Sequence, residues 1–132
     1  MNDRSISPIW AKNRVVMKLL IIEDDKPSLK ALAATLKMLG FDSEAFSDAE
    51  EAIARFQYKN DFDVVITDLK MPKISGVEVL DKIRSLHSMI PIVVITAYRD
   101  HVQLYVNRIF YKPIDIQRLV EYLNFLESKG KR

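Results

Sequence analysis

Residues 63–76 read DVVITDLKMPKISG, and the organisation of the whole chain follows from that segment. Asp63 to Thr67 is a β-branched run of strand length. Asp68 follows it directly, Met71 and Pro72 shape a loop that aims the aspartate, and Ser75 or Gly76 opens a helix. In that helix Val77, Leu80, Ile83 and Leu86 make an apolar stripe beside charged residues. The unit is a strand, a polar strand end and a helix, and it recurs on both sides.

Upstream, Val15 to Ile22 (VVMKLLII) is aliphatic enough for a strand buried on both faces. Pro27 suits the first turn of a helix, and Leu29, Leu32, Ala33, Leu36 and Leu39 carry it to Gly40, which stops it. Phe41 to Phe46 is a short second strand. Asp48 caps a helix running to about Tyr58, with Glu51 three residues on as a capping-box-like partner. Downstream, Pro91 to Thr96 (PIVVIT) is the fourth strand, Asp100 to Val106 a short helix, and Arg108 to Tyr111 the fifth strand. Asp115 caps a last helix with Ile116, Leu119, Val120, Leu123 and Leu126 on its core stripe. Five strands alternating with helices, through connections too long for hairpins, predict an α/β fold: a doubly wound parallel sheet with helices on both faces.

Composition narrows the chemistry. The 132 residues are 48% hydrophobic and 29% charged, which suits one domain. There is no cysteine, so disulfides, thiolate nucleophiles and zinc-thiolate clusters are excluded. The longest apolar runs fall far short of the roughly 20 residues that span a bilayer, and the first residues contain no secretory h-region. A cytoplasmic location and no membrane association are expected. The net charge is +2, but residues 17–128 hold 14 basic and 17 acidic side chains, so the body is mildly acidic and direct nucleic-acid binding is not expected. Residues 1–14 read as a flexible extension, 15–128 as the folded domain, and 129–132 as a basic tail. His87 and His101 have no partners at ligand spacing and are expected in solvent.

In such sheets the functional site lies beyond the carboxyl ends of the strands. There the sequence places Glu23, Asp24 and Asp25 after the first strand, Asp68 after the third, Thr96 at the end of the fourth, and Lys112 with Pro113 after the fifth. Clustered carboxylates call for a cation, and oxygen ligands without histidine or cysteine favour a hard ion such as Mg²⁺. A carboxylate beside such an ion can accept a phosphoryl group as an aspartyl phosphate. Lys112 can then pair with phosphoryl oxygens and Thr96 can donate to them. No glycine-rich phosphate loop or dinucleotide fingerprint is present.

LLIIEDD, DVVITDLKMPKISG, PIVVITA and YKPID, in this order and spacing, resemble the receiver domain of two-component response regulators over about residues 17–128. The resemblance implies a CheY-like (flavodoxin-like) five-stranded sheet in the order 2-1-3-4-5. It implies that Asp68 is the phosphoacceptor, taking its phosphoryl group from a sensor histidine kinase or phosphotransfer protein. It implies a Mg²⁺ site made by Asp24, Asp68 and the Lys70 backbone carbonyl, with Glu23 acting through metal-bound water. Thr96 and Lys112 match the switch hydroxyl and the phosphate-pairing lysine, and a cis bond is expected before Pro113. Asp25 falls one place beyond the acidic pair and reads as a solvated loop carboxylate. Such a domain is a switch rather than an enzyme acting on a separate substrate: it catalyses its own phosphoryl transfer and dephosphorylation and signals to a downstream protein, with homodimerisation an open option. With only Lys129 to Arg132 beyond the domain, a complete chain would encode no output domain.

Two features depart from the family pattern. The interval from Thr96 to Lys112 is about six residues short, which removes about a turn and a half from the fourth helix. Ile109 stands where the family carries its aromatic switch residue, leaving Tyr98, Tyr105, Phe110 or Tyr111 to substitute. These departures motivate an alternative, a receiver-like interaction module whose output is uncoupled from phosphorylation. A Mg²⁺-dependent phosphohydrolase would need a second acid two residues after Asp68, where Lys70 stands.

Overall fold

The computed structural model describes residues 16–69, 71, 74–99 and 105–130. Strands β1 (Lys18–Ile22), β2 (Asp42–Phe46), β3 (Val64–Thr67), β4 (Ile92–Thr96) and β5 (Arg108–Tyr111) pair in parallel as one sheet, in the order β2-β1-β3-β4-β5. Four helices are described: α1 (Lys26–Met38), α2 (Ala49–Tyr58), α3 (Gly76–Leu86) and α4 (Ile116–Gly130). None is long and apolar enough to cross a membrane.

Alternation along the buried strands divides the core in two. Leu19, Ile21, Val64, Ile66, Val93, Ile95 and Phe110 face α1 and α4, where they meet Leu29, Leu36, Leu119 and Leu123. Leu20, Ile22, Val65, Ile92 and Val94 face α2 and α3, where they meet Ile53, Phe56, Val79 and Ile83. Both sides of the sheet are therefore covered, and its polar strand ends are left for function.

Local chemistry sets the boundaries. Gly40 (φ +98°) takes the left-handed conformation after α1. Its N–H donates to the Lys37 carbonyl while the Phe41 N–H donates to the Leu36 carbonyl, a Schellman closure that hands the chain into β2. Asp48 caps α2 through the N–H groups of Glu50 and Glu51. The reciprocal capping box is seen at Ser75 and Glu78, at the start of α3. β1 begins at Lys18 rather than Val15, because β2 and β3 pair with it only from Lys18 and Leu19 onward. α4 runs on through Lys129 and Gly130, beyond the expected domain end at Ser128. His87 is half-buried and its Nδ1 accepts from the Met89 N–H, so it closes α3 rather than standing in solvent. The shortened fourth helix expected over 100–106 lies largely outside the described residues, as do His101, Pro72 and residues 1–15.

Away from the polar strand ends, four charges form a closed network. Lys18 Nζ lies 2.8 Å from Asp61 and 3.1 Å from Glu44, and Arg55 bridges the same two carboxylates at 2.8 and 2.9 Å. Lys18 and Arg55 both stand over the Phe62 ring. The Lys18 and Arg55 hydrogen bonds hold the Asp61 carboxyl at about 2, below the ordinary aspartate value of 3.8. A depressed native value means that the unfolded chain binds this proton more readily, so the network's contribution is complete above about pH 4 and is lost as pH falls toward 2. A carbon-detected NMR titration should place the Asp61 midpoint near 2. Lys18→Met should move it back toward 3.8, and an unchanged midpoint in that variant would count against the assignment.

Candidate functional site

The parallel sheet brings together four of the strand-end residues singled out in the sequence. Glu23 follows β1 and is fixed by its own N–H, which donates to the Phe46 carbonyl at 3.0 Å. Asp68 follows β3, and its N–H donates to the Ile22 carbonyl at 3.2 Å, which seats it beside the end of β1. Glu23 and Asp68 are buried and Asp24 is exposed, and one carboxylate oxygen from each lies within 4.8 Å of the others. Lys112, at the end of β5, reaches across the sheet to donate to Glu23 Oε1 at 2.7 Å and to Asp68 Oδ2 at 2.9 Å. The bond from Lys112 to Pro113 is cis.

Each buried carboxylate also has a backbone donor. The Asp25 N–H donates to Glu23 Oε2 at 3.0 Å, and the Leu69 N–H donates to Asp68 Oδ1 at 2.6 Å. Burial pushes the Glu23 carboxyl up; Lys112 and the Asp25 N–H oppose that, the Asp68 charge adds to it, and the net direction is upward. For Lys112 burial acts to lower the ammonium, but its bonds to Glu23 and Asp68 outweigh it and the net direction is up. The lysine therefore stays charged, and it partly offsets the repulsion between two carboxylates that share one pocket of low dielectric.

Thr96 is fully buried at the end of β4, one strand away from Asp68. Its hydroxyl accepts from the Tyr98 N–H at 3.0 Å and its carbonyl accepts from the Lys112 N–H at 2.9 Å. The latter bond ties the threonine's strand to the lysine's. Lys70 lies outside the described residues. Asp25 does more than a solvated loop carboxylate would: it caps α1, accepting from the N–H and hydroxyl of Ser28. The signal for this was present, since Pro27 and Ser28 follow it at the start of a helical pattern. The Leu69 N–H had no sequence signal, because every non-proline residue carries that donor.

Ile109 is half-buried against the α2 and α3 side of the core. Of the four aromatic candidates to replace a ring there, Phe110 packs on the opposite face and Tyr105 is 83% exposed. Tyr111 shares the face of Ile109, pairs in register with Thr96, and lies under the Arg99 guanidinium at 4.2 Å.

An oxygen-only donor set of three carboxylates fits a hard divalent cation such as Mg²⁺, which binds one or two carboxylates and keeps several waters. The family model for the response regulator receiver domain matches residues 19–124. The transcriptional regulatory protein QseB of Haemophilus influenzae is 37% identical over 81 residues, 61% of this chain and 36% of QseB. The C4-dicarboxylate transport transcriptional regulatory protein DctD of Rhizobium meliloti is 31% identical over 121 residues, 86% of this chain and 26% of DctD. The chain thus spans only a minor part of each of these relatives. Among solved structures, the response regulator protein TrrA of Thermotoga maritima, in complex with Mg²⁺ and BeF, superposes with a TM-score of 0.76 at 27% identity, covering 84% of this chain and 99% of that one.

Proposed function

The chain belongs to the response regulator receiver domain family, and from that premise we propose that Asp68 accepts a phosphoryl group from a phosphohistidine on a sensor kinase or phosphotransfer protein, in a Mg²⁺-dependent reaction. The observation that carries this reading is the junction of Asp68 with Glu23, Asp24 and Lys112, four residues from three strand ends. Asp24 and Asp68 would hold the ion, with Glu23 through water and the Lys70 carbonyl completing the set. When bound, Mg²⁺ neutralises charge on the phosphoryl oxygens.

The chain's own groups do the rest. An Asp68 carboxylate oxygen attacks phosphorus; the new O–P bond forms as the P–N bond breaks, and its electron pair leaves on the imidazole nitrogen. The Leu69 N–H and the Lys112 ammonium hold the two carboxylate oxygens and so fix the direction of attack. Lys112 then turns to the phosphoryl oxygens, where a charge-assisted bond is strongest. Thr96 turns its hydroxyl from the Tyr98 N–H toward the same group, which gives the two states different contacts. Hydrolysis by water releases phosphate and restores the carboxylate. The register of Tyr111 with Thr96 and its face, shared with Ile109, support it as the ring that would follow Thr96 in place of the missing aromatic.

Intact-mass spectrometry after incubation with acetyl phosphate tests the chemistry. One added phosphoryl group is expected with Mg²⁺ and none with a chelator; a folded protein that never gains the mass sinks the reading. Ile109 favours the second reading, a module whose output ignores phosphorylation. Amide NMR with beryllofluoride separates the two, since shifts confined to the neighbourhood of Asp68 would favour the uncoupled module and shifts reaching β5 and α4 the switch.

A further inference from the structure

β2 is an edge strand, paired only with β1. Its Asp42 N–H donates inward to the Met17 carbonyl and its Phe46 carbonyl accepts inward from Glu23. The alternation of a parallel ladder then turns the peptide groups of Ser43 and Ala45 outward. Their side chains lie on the α1 side, because they stand in register with Leu19 and Ile21. Ser43 and Ala45 line a groove of about 910 Å³ whose other wall is α1. That wall presents Ala33 and Ala34, which are small, between Lys30 and Lys37, with Lys26 one turn before. All three lysines are exposed, and among the described residues none of them is in a salt bridge.

We propose that this edge receives an extended acidic segment of a partner protein as an added strand, with carboxylates at alternate positions directed at the α1 lysines. Main-chain bonds to Ser43 and Ala45 would supply affinity, and the lysines would supply choice of sequence. The spacing agrees for the first pair, since Lys26 and Lys30 are about 6 Å apart along the helix axis and side chains on one face of a strand repeat at about 6.6 Å. Lys37 stands about 10.5 Å beyond Lys30 and reaches its carboxylate through its long, exposed side chain. Asp42 and Glu51 also line the groove, so carboxylates belong only on the side facing α1. A second copy of the chain fits poorly, since pairing two β2 edges would bring two rows of lysines together.

A fluorescent peptide alternating glutamate and threonine is the probe, used with unphosphorylated protein in the absence of Mg²⁺ so that failure here is independent of phosphoryl chemistry. Binding should shift the Ser43 and Ala45 amides, protect them from exchange, and weaken about tenfold in the exposed-surface variant Lys30→Glu, Lys37→Gln or in high salt. In a parallel added strand with glutamate facing α1, the threonine peptide groups are the ones that face Ser43 and Ala45. A probe with proline in place of threonine therefore keeps the charge but loses the donors, and should fail to bind. No binding, equal binding of the proline probe, insensitivity to the lysine changes, or self-association that Ala45→Pro abolishes would each overturn the proposal.

Discussion

Replacing Asp68 with asparagine is expected to reduce phosphoryl incorporation from acetyl phosphate by more than about a thousandfold while leaving the fold intact. An amide has no anionic oxygen to attack phosphorus, whereas shape and hydrogen bonding are largely kept. Asparagine Oδ1 can still accept from the Leu69 N–H, and Lys112 keeps its 2.7 Å bond to Glu23. The half-buried ammonium is therefore not left without a partner, which is why the substitution should spare stability. Intact mass and circular dichroism on one sample decide the matter. A folded Asp68→Asn protein that still gains a phosphoryl group would move the acceptor to Glu23 or Asp24 and undo the assignment.

The largest effect on stability is expected from Gly76→Ala. Gly76 is the first residue of α3, and its N–H donates to the Leu69 carbonyl at 2.8 Å. A Cβ on Gly76 would stand 2.5 Å from the Leu69 oxygen and 2.8 Å from its carbonyl carbon, and closer still to its Cα. These are backbone atoms, so no rotamer change relieves the overlap and the two segments must part. Overpacking of this kind together with a lost buried hydrogen bond costs about 2–4 kcal/mol. That corresponds to roughly ten degrees in Tm for a domain of this size. The displacement would also reach the site, because Leu69 supplies the N–H on Asp68 Oδ1. Calorimetry and phosphorylation rates should fall together; a Tm within a degree of the parent's would show that the contact is easily relaxed.

The parts of this molecule that were legible in the sequence are those set by local pattern. The buried strands announce themselves as β-branched runs, and β5 spans the expected Arg108–Tyr111. The strand-end acids and Lys112 were legible because a parallel sheet delivers every strand's carboxyl end to one edge. What was hidden depends on contacts between distant segments. Nothing near Lys18 or Arg55 indicates that both meet Glu44 and Asp61, since each reads alone as a solvated surface charge. The start of β1 was misplaced because Val15 and Val16 have strand propensity, and only the partners' lengths show where pairing stops. Gly76 could be read as a helix opener, but the backbone it touches lies across a loop.

The bond between Lys112 and Glu23 joins residues 89 positions apart. As the polypeptide leaves the ribosome, the acidic residues emerge long before the cation that balances them. A truncated or half-synthesised chain therefore presents bare carboxylates without the ammonium that steadies them. The ammonium that steadies Glu23 and Asp68 is thus supplied only once β5 and the residue after it have been made, so the pocket's charge balance is among the later features of this domain to form.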